Sequence, residues 1–92
     1  MKGLHRRAAK RDANEPEITD ALRKVGATVQ SISAKGVPDL LVGFRGENYL
    51  LEIKTKKGKR TASQVEWTLL WNGDWNIVRT PDEALRVIGA IE

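Results

Sequence analysis

Two short apolar runs separated by a small polar segment constrain this chain more than any other feature. Gly36-Val37-Pro38-Asp39-Leu40-Leu41-Val42-Gly43 precedes Arg45-Gly46-Glu47-Asn48, and Tyr49-Leu50-Leu51-Glu52-Ile53-Lys54 follows it. Runs rich in Val, Leu, Ile and Tyr on either side of a glycine-bearing break predict an antiparallel hairpin turning at residues 45–48. Side chains alternate across a strand, so Leu50, Glu52 and Lys54 share one face while Leu51 and Ile53 take the other. Asp39 opens the first strand, and the hairpin therefore gathers Asp39, Glu52 and Lys54 at one end of the sheet. Two acidic oxygen donors beside an ammonium suit a hard divalent cation and a phosphate ester.

The length of 92 residues is that of one domain with a modest core. The absence of cysteine excludes thiolate metal sites and fits a reducing cytoplasm, here a bacterial or phage-infected host cell. No apolar run reaches membrane-spanning length, and Met1 to Arg7 is not followed by an apolar signal region. The net charge of +4 is unevenly spread. Lys2, Arg6, Arg7, Lys10 and Arg11 crowd the start, and Lys54, Lys56, Lys57, Lys59 and Arg60 crowd residues 54–60. Of the 16 basic residues, ten lie in these two stretches, leaving 6 against 11 acids elsewhere. Two basic patches on an otherwise acidic domain have the pattern of a polyanion footprint. The plainer alternative is a solvated tail and a solvated loop.

Residues 1–13 lack periodic hydrophobics and read as a flexible basic arm, with residues 14–92 forming a single domain. His5 in the arm has no neighbour to orient it and reads as a solvated side chain. Asn14-Glu15-Pro16-Glu17 has the form of a helix start, with Asn14 as N-cap and Glu17 completing a capping box. Ile18, Ala21, Leu22 and Val25 give the apolar stripe, and Gly26 ends the helix. Ala27 to Ile32 alternates as a first strand. Thr61-Ala62-Ser63-Gln64 starts a second helix in capping-box form, running through Trp71 to Asn72-Gly73. Residues 74–79 read as a fourth strand. Thr80, Pro81 and Glu83 then take the N-cap, N1 and N3 positions of a last helix. The order αβββαβα gives an α/β domain whose mixed sheet is flanked by helices, its last strand parallel to an earlier one.

Pro38-Asp39, Glu52-Ile53-Lys54 thirteen positions on, the basic loop and Ser63-Gln64 together resemble the restriction-endonuclease-like core of the PD-(D/E)xK nuclease superfamily. Within it the chain is similar to the small stand-alone type of virus-type replication-repair nuclease (VRR-NUC) domain, over roughly residues 14–80. The resemblance implies a metal-dependent DNA endonuclease leaving 5′-phosphate and 3′-hydroxyl ends, in a virus or mobile-element context. It implies Mg²⁺ or Mn²⁺ held by Asp39, Glu52, the Ile53 carbonyl and an acid of the first helix. Glu17 is the position carried over for that acid, with Glu15 as its rival. Lys54 would orient the attacking water or stabilise charge on the phosphate, and Gln64 would position substrate. Arg6, Arg7, Lys10, Arg11, Lys56, Lys57, Lys59 and Arg60 would hold DNA phosphates without reading sequence.

Three tryptophans fall within residues 67–75, and Trp67 and Trp71 share one side of their helix. That apolar surface exceeds what a small sheet covers and points to a homodimer presenting two sites to a branched, Holliday-junction-like DNA. The competing arrangement buries all three indoles in the chain's own core. The competing functions are a non-catalytic nucleic-acid-binding module and a sequence-specific restriction-like nuclease, although the length leaves no room for a separate target-recognition domain.

Overall fold

A computed structural model describes residues 12–92. His5 and the arm residues Arg6, Arg7, Lys10 and Arg11 lie outside the described residues. The elements follow the expected order: α1 (Glu15–Lys24), β1 (Thr28–Ser31), β2 (Leu40–Phe44), β3 (Glu47–Ile53), α2 (Ala62–Leu70), β4 (Asn76–Val78) and α3 (Pro81–Val87). The four strands form one sheet in the order β1-β2-β3-β4. The first three are antiparallel, and β4 joins β3 in parallel, with Glu52 beside Ile77. Among the described residues, no helix is long and apolar enough to cross a membrane.

The hairpin is tighter than expected. Phe44 pairs with Glu47, so the turn is Arg45-Gly46 alone rather than residues 45–48. Both residues have positive φ, 51° and 83°, the primed geometry whose twist matches that of the flanking strands. Glu47 and Asn48, read as turn residues because they are polar, extend β3 instead.

Alternation sorts the sheet into two unlike faces. Leu40, Val42, Phe44, Leu51, Ile53 and Val78 are buried together against Ile18 and Leu22 of α1 and Ala84 of α3. This face is the hydrophobic core. The other face carries Leu41, Leu50 and Glu52, and α2 lies on that side. The helix α2 has no buried residue, although it holds Val65, Leu69 and Leu70.

Two of the three expected helix starts hold. Thr61 and Gln64 form a reciprocal capping box, and the Thr80 hydroxyl accepts from Glu83 N at 3.1 Å. The first differs: Asn14 makes no side-chain cap bond. Its Nδ2 instead donates to the Lys54 carbonyl at 3.0 Å and the Arg79 carbonyl at 2.9 Å, clasping the ends of β3 and β4 to the start of α1. Its Oδ1 is buried without a partner among the described residues. Losing this clasp leaves two carbonyls short of a donor, a cost of about 1–3 kcal/mol. Asn14→Ala and Asn14→Asp are both expected to destabilise by that order in urea unfolding, since aspartate keeps a capping oxygen and loses the donor. Wild-type stability for Asn14→Asp would return Asn14 to the role of a cap.

Candidate active site

Asp39 stands one residue before the Leu40–Leu51 pair, across from Glu52. Its backbone carbonyl accepts from Ile32 N at 2.7 Å, and its Oδ2 accepts from Ile53 N at 2.7 Å. The aspartate is thus tied to the peptide that follows Glu52, and the two carboxylates sit on neighbouring strands at one end of the sheet. Pro38 before it is fully buried. Gly36, at φ 81°, packs so closely that a Cβ there would lie 2.7 Å from the Ser63 carbonyl oxygen. This contact joins the loop leading to Asp39 to the start of α2.

Glu52 is 0 % exposed and Lys54 8 % exposed. The lysine backbone is fixed on both sides, its N–H donating to the Val78 carbonyl at 3.1 Å and its carbonyl accepting from Asn14. Its side chain has no hydrogen bond or ion pair among the described residues. The carboxylate of Glu52 is compensated by Arg60, whose Nε lies 3.0 Å from Oε2 and whose Nη2 lies 3.3 Å from Oε1. The same guanidinium donates to the Gln64 carbonyl and to Thr68 Oγ1, each at 2.9 Å, and stacks over Trp75 at 4.3 Å. A buried charge that loses its partner costs about 3–5 kcal/mol, so this pair is a structural commitment. Arg60 is therefore turned inward, while Lys56, Lys57 and Lys59 are exposed as expected of a phosphate-facing loop.

Glu17 does not join the two carboxylates. The buried face of α1 keeps Ile18 and Leu22 of the expected apolar stripe but is rotated from it, because Thr19 is buried and Val25 is exposed. Thr19 enters the core by bonding its hydroxyl to the Pro16 carbonyl at 3.0 Å. The rotation carries Glu17 to the solvent side with Asp20 and Lys24, and it forms neither a capping box nor part of the cluster. Glu15, in line with Ile18, Thr19 and Leu22, is half-buried. It lines a cleft of about 550 Å³ that extends to Ser31, the residue paired with Leu40 next to Asp39.

Gln64 spends its Oε1 on Thr61 N at 2.8 Å, and its amide nitrogen has no acceptor among the described residues. Sequence reasoning missed Arg79, whose Nη1 collects the carbonyls of Thr55 at 2.5 Å and Gly58 at 3.1 Å and so anchors the basic loop to the end of β4. The available signal was its position, a cation at the end of the strand that runs parallel to the Glu52 strand.

No group of three His, Cys, Asp or Glu side chains poised for a metal occurs among the described residues. The donor set nevertheless fits magnesium or manganese. These hard ions take oxygen, and magnesium is commonly held through only one or two carboxylates while it keeps several waters. Asp39, Glu52 and the Ile53 carbonyl supply such a set.

No family model matches the chain, and no curated protein matches it in sequence. A solved structure described as a VRR_NUC domain matches in shape, with a TM-score of 0.64 and 19 % identity, over 88 % of this chain and 100 % of that one. With its αβββαβα order, mixed four-stranded sheet and flanking helices, the chain has the fold of a VRR_NUC domain.

Proposed function

We propose that this protein is a metal-dependent DNA endonuclease that hydrolyses phosphodiester bonds. The observation that carries this reading is the buried Glu52 between Asp39 and Lys54 at one sheet end, joined to an exposed basic loop. Asp39, Glu52 and the Ile53 carbonyl would hold Mg²⁺ or Mn²⁺, with waters rather than Glu15 or Glu17 of α1 filling the remaining positions. Such a cation supplies Lewis acidity at the phosphate and lowers the pKa of a bound water.

The chain's own groups supply the rest. Lys54, whose side chain has no partner among the described residues, donates to a non-bridging phosphate oxygen as charge builds there, or orients the attacking water. The Gln64 amide nitrogen, without an acceptor among the described residues, would donate to substrate while its oxygen holds the helix cap. Lys56, Lys57 and Lys59 grip flanking phosphates, which gives affinity without sequence reading. Water adds at phosphorus and the P–O3′ bond breaks, leaving 5′-phosphate and 3′-hydroxyl ends.

The working form is proposed to be a homodimer built on α2. Leu69 and Leu70 protrude at 78 % and 81 % exposure. Beside them Leu41, Leu50 and Trp71 line a cleft of about 300 Å³, while Trp67 and Trp71 stack at 4.7 Å. A surface with both apolar knobs and an apolar recess is self-complementary under a two-fold axis. Two sites so related would face opposed strands of a branched DNA.

Glu52→Gln and Asp39→Asn are each expected to abolish Mg²⁺-dependent cleavage of single-stranded, duplex, flap and four-way-junction DNA while DNA binding persists. Turnover near that of the wild type in either variant would defeat the site. Binding without cleavage by the wild type on every substrate would leave a nucleic-acid-binding module. Replacing Lys56, Lys57 and Lys59 by Gln should shallow the log K against log [salt] slope by up to about 3, at roughly 0.9 per phosphate released. An unchanged slope would make the loop a solvated turn. Light scattering is expected to give twice the 10.3 kDa chain mass, and Leu69→Glu with Leu70→Glu to halve it. A monomeric wild type with full activity would refute the dimer.

A further inference from the structure

The carboxylate most needed for a metal is already taken. Glu52 is 0 % exposed, and both its oxygens face the Arg60 fork. A planar guanidinium bonded to both oxygens covers the approach that a cation would use. We propose that Arg60 holds the place of the divalent cation on Glu52 and must release that carboxylate for the cation to bind. The cation affinity of the site is then set by competition with a side chain of the same protein. This role rests on the reading of Asp39 and Glu52 as a metal site.

Three observations make the exchange possible. Arg60 lies in the loop between β3 and α2, with its side chain 20 % exposed, so it has an open side toward which to move. Its other partners do not depend on Glu52: the Gln64 carbonyl, Thr68 Oγ1 and the Trp75 ring remain to receive it once the carboxylate is lost. Among the described residues, Arg60 forms the sole ion pair with Glu52, so the metal-free protein relies on it to keep a buried charge compensated. A cation arriving at Glu52 takes over that compensation. The arginine then keeps its neutral partners but has no anion beside it at the edge of the site, and its Nε is released from Glu52 to donate to a phosphate oxygen.

The test is a Mn²⁺ titration without DNA, read by the electron paramagnetic resonance of free Mn²⁺ and by the melting temperature with and without the ion. It compares the wild type, Arg60→Gln and Arg60→Lys. Arg60→Gln is expected to melt lower without metal and to bind Mn²⁺ about tenfold tighter, as when a state that occludes about nine molecules in ten is removed. Its Mn²⁺-induced rise in melting temperature should exceed that of the wild type. Arg60→Lys keeps the charge and loses the fork, so its affinity should fall between the two. It also decides the matter if the glutamine variant does not fold without metal. Binding by the variants that is equal to or weaker than the wild type would show that arginine and cation share Glu52, overturning this role while leaving the metal site intact. Binding by none of the three proteins would remove the metal site and the arginine's role together.

Discussion

A carboxylate sealed from water at the end of a central strand needs a positive partner, and the polar half of this domain is arranged around that need. Glu52 cannot turn toward solvent, because its strand lies between β2 and β4 with Leu51 and Ile53 locked into the core on the opposite face. Arg60 meets the charge, and it reaches it only because the loop after Lys54 returns the chain over that face of the sheet. Trp75 caps the guanidinium, and Gln64 and Thr68 tie it to α2. The helix α2 is thus attached through an ion-pair network and a short loop rather than through a buried apolar stripe, which is why it leaves Leu69 and Leu70 outside. Desolvation of one acid dictates both the site and the exposed surface beside it.

The two faces divide the work of the molecule. One packs α1 and α3 over aliphatic side chains and supplies the folding free energy through apolar burial. The other carries the buried Glu52–Arg60 pair. Asn14 and Arg79 join the two. Asn14 binds the carbonyls of Lys54 and Arg79, and Arg79 binds those of the basic loop, so the start of α1, the ends of β3 and β4 and the loop after Lys54 are linked by side chain to backbone bonds. Backbone anchors of this kind hold the site in place without consuming its charges.

Much of this was legible in the sequence because it follows from local rules. Alternation placed Glu52 opposite Leu51 and Ile53, a capping box located Thr61 and the N-cap pattern located Thr80, and the order αβββαβα followed from strand and helix signals. The failures have a common cause, which is that local rules say nothing of tertiary partners. Asn14 has the composition of a cap, yet two carbonyls from distant strands lie within its reach. Thr19 counts as polar, yet its bond to Pro16 lets it enter the core, and the buried face then leaves Glu15 half-buried and Glu17 exposed. Arg60 belongs to a basic run by composition, and only the fold shows that it serves Glu52 instead of solvent.

On the proposed function, Asp39 and Glu52 together would hold a divalent cation. Anomalous diffraction from crystals grown with Mn²⁺ addresses it most directly, because the signal locates the ion independently of any activity. One strong manganese peak bound by oxygens of Asp39 and Glu52, with Arg60 withdrawn from the glutamate, is the expected result. A manganese peak elsewhere, or none at saturating ion with the Arg60–Glu52 pair intact, would contradict it.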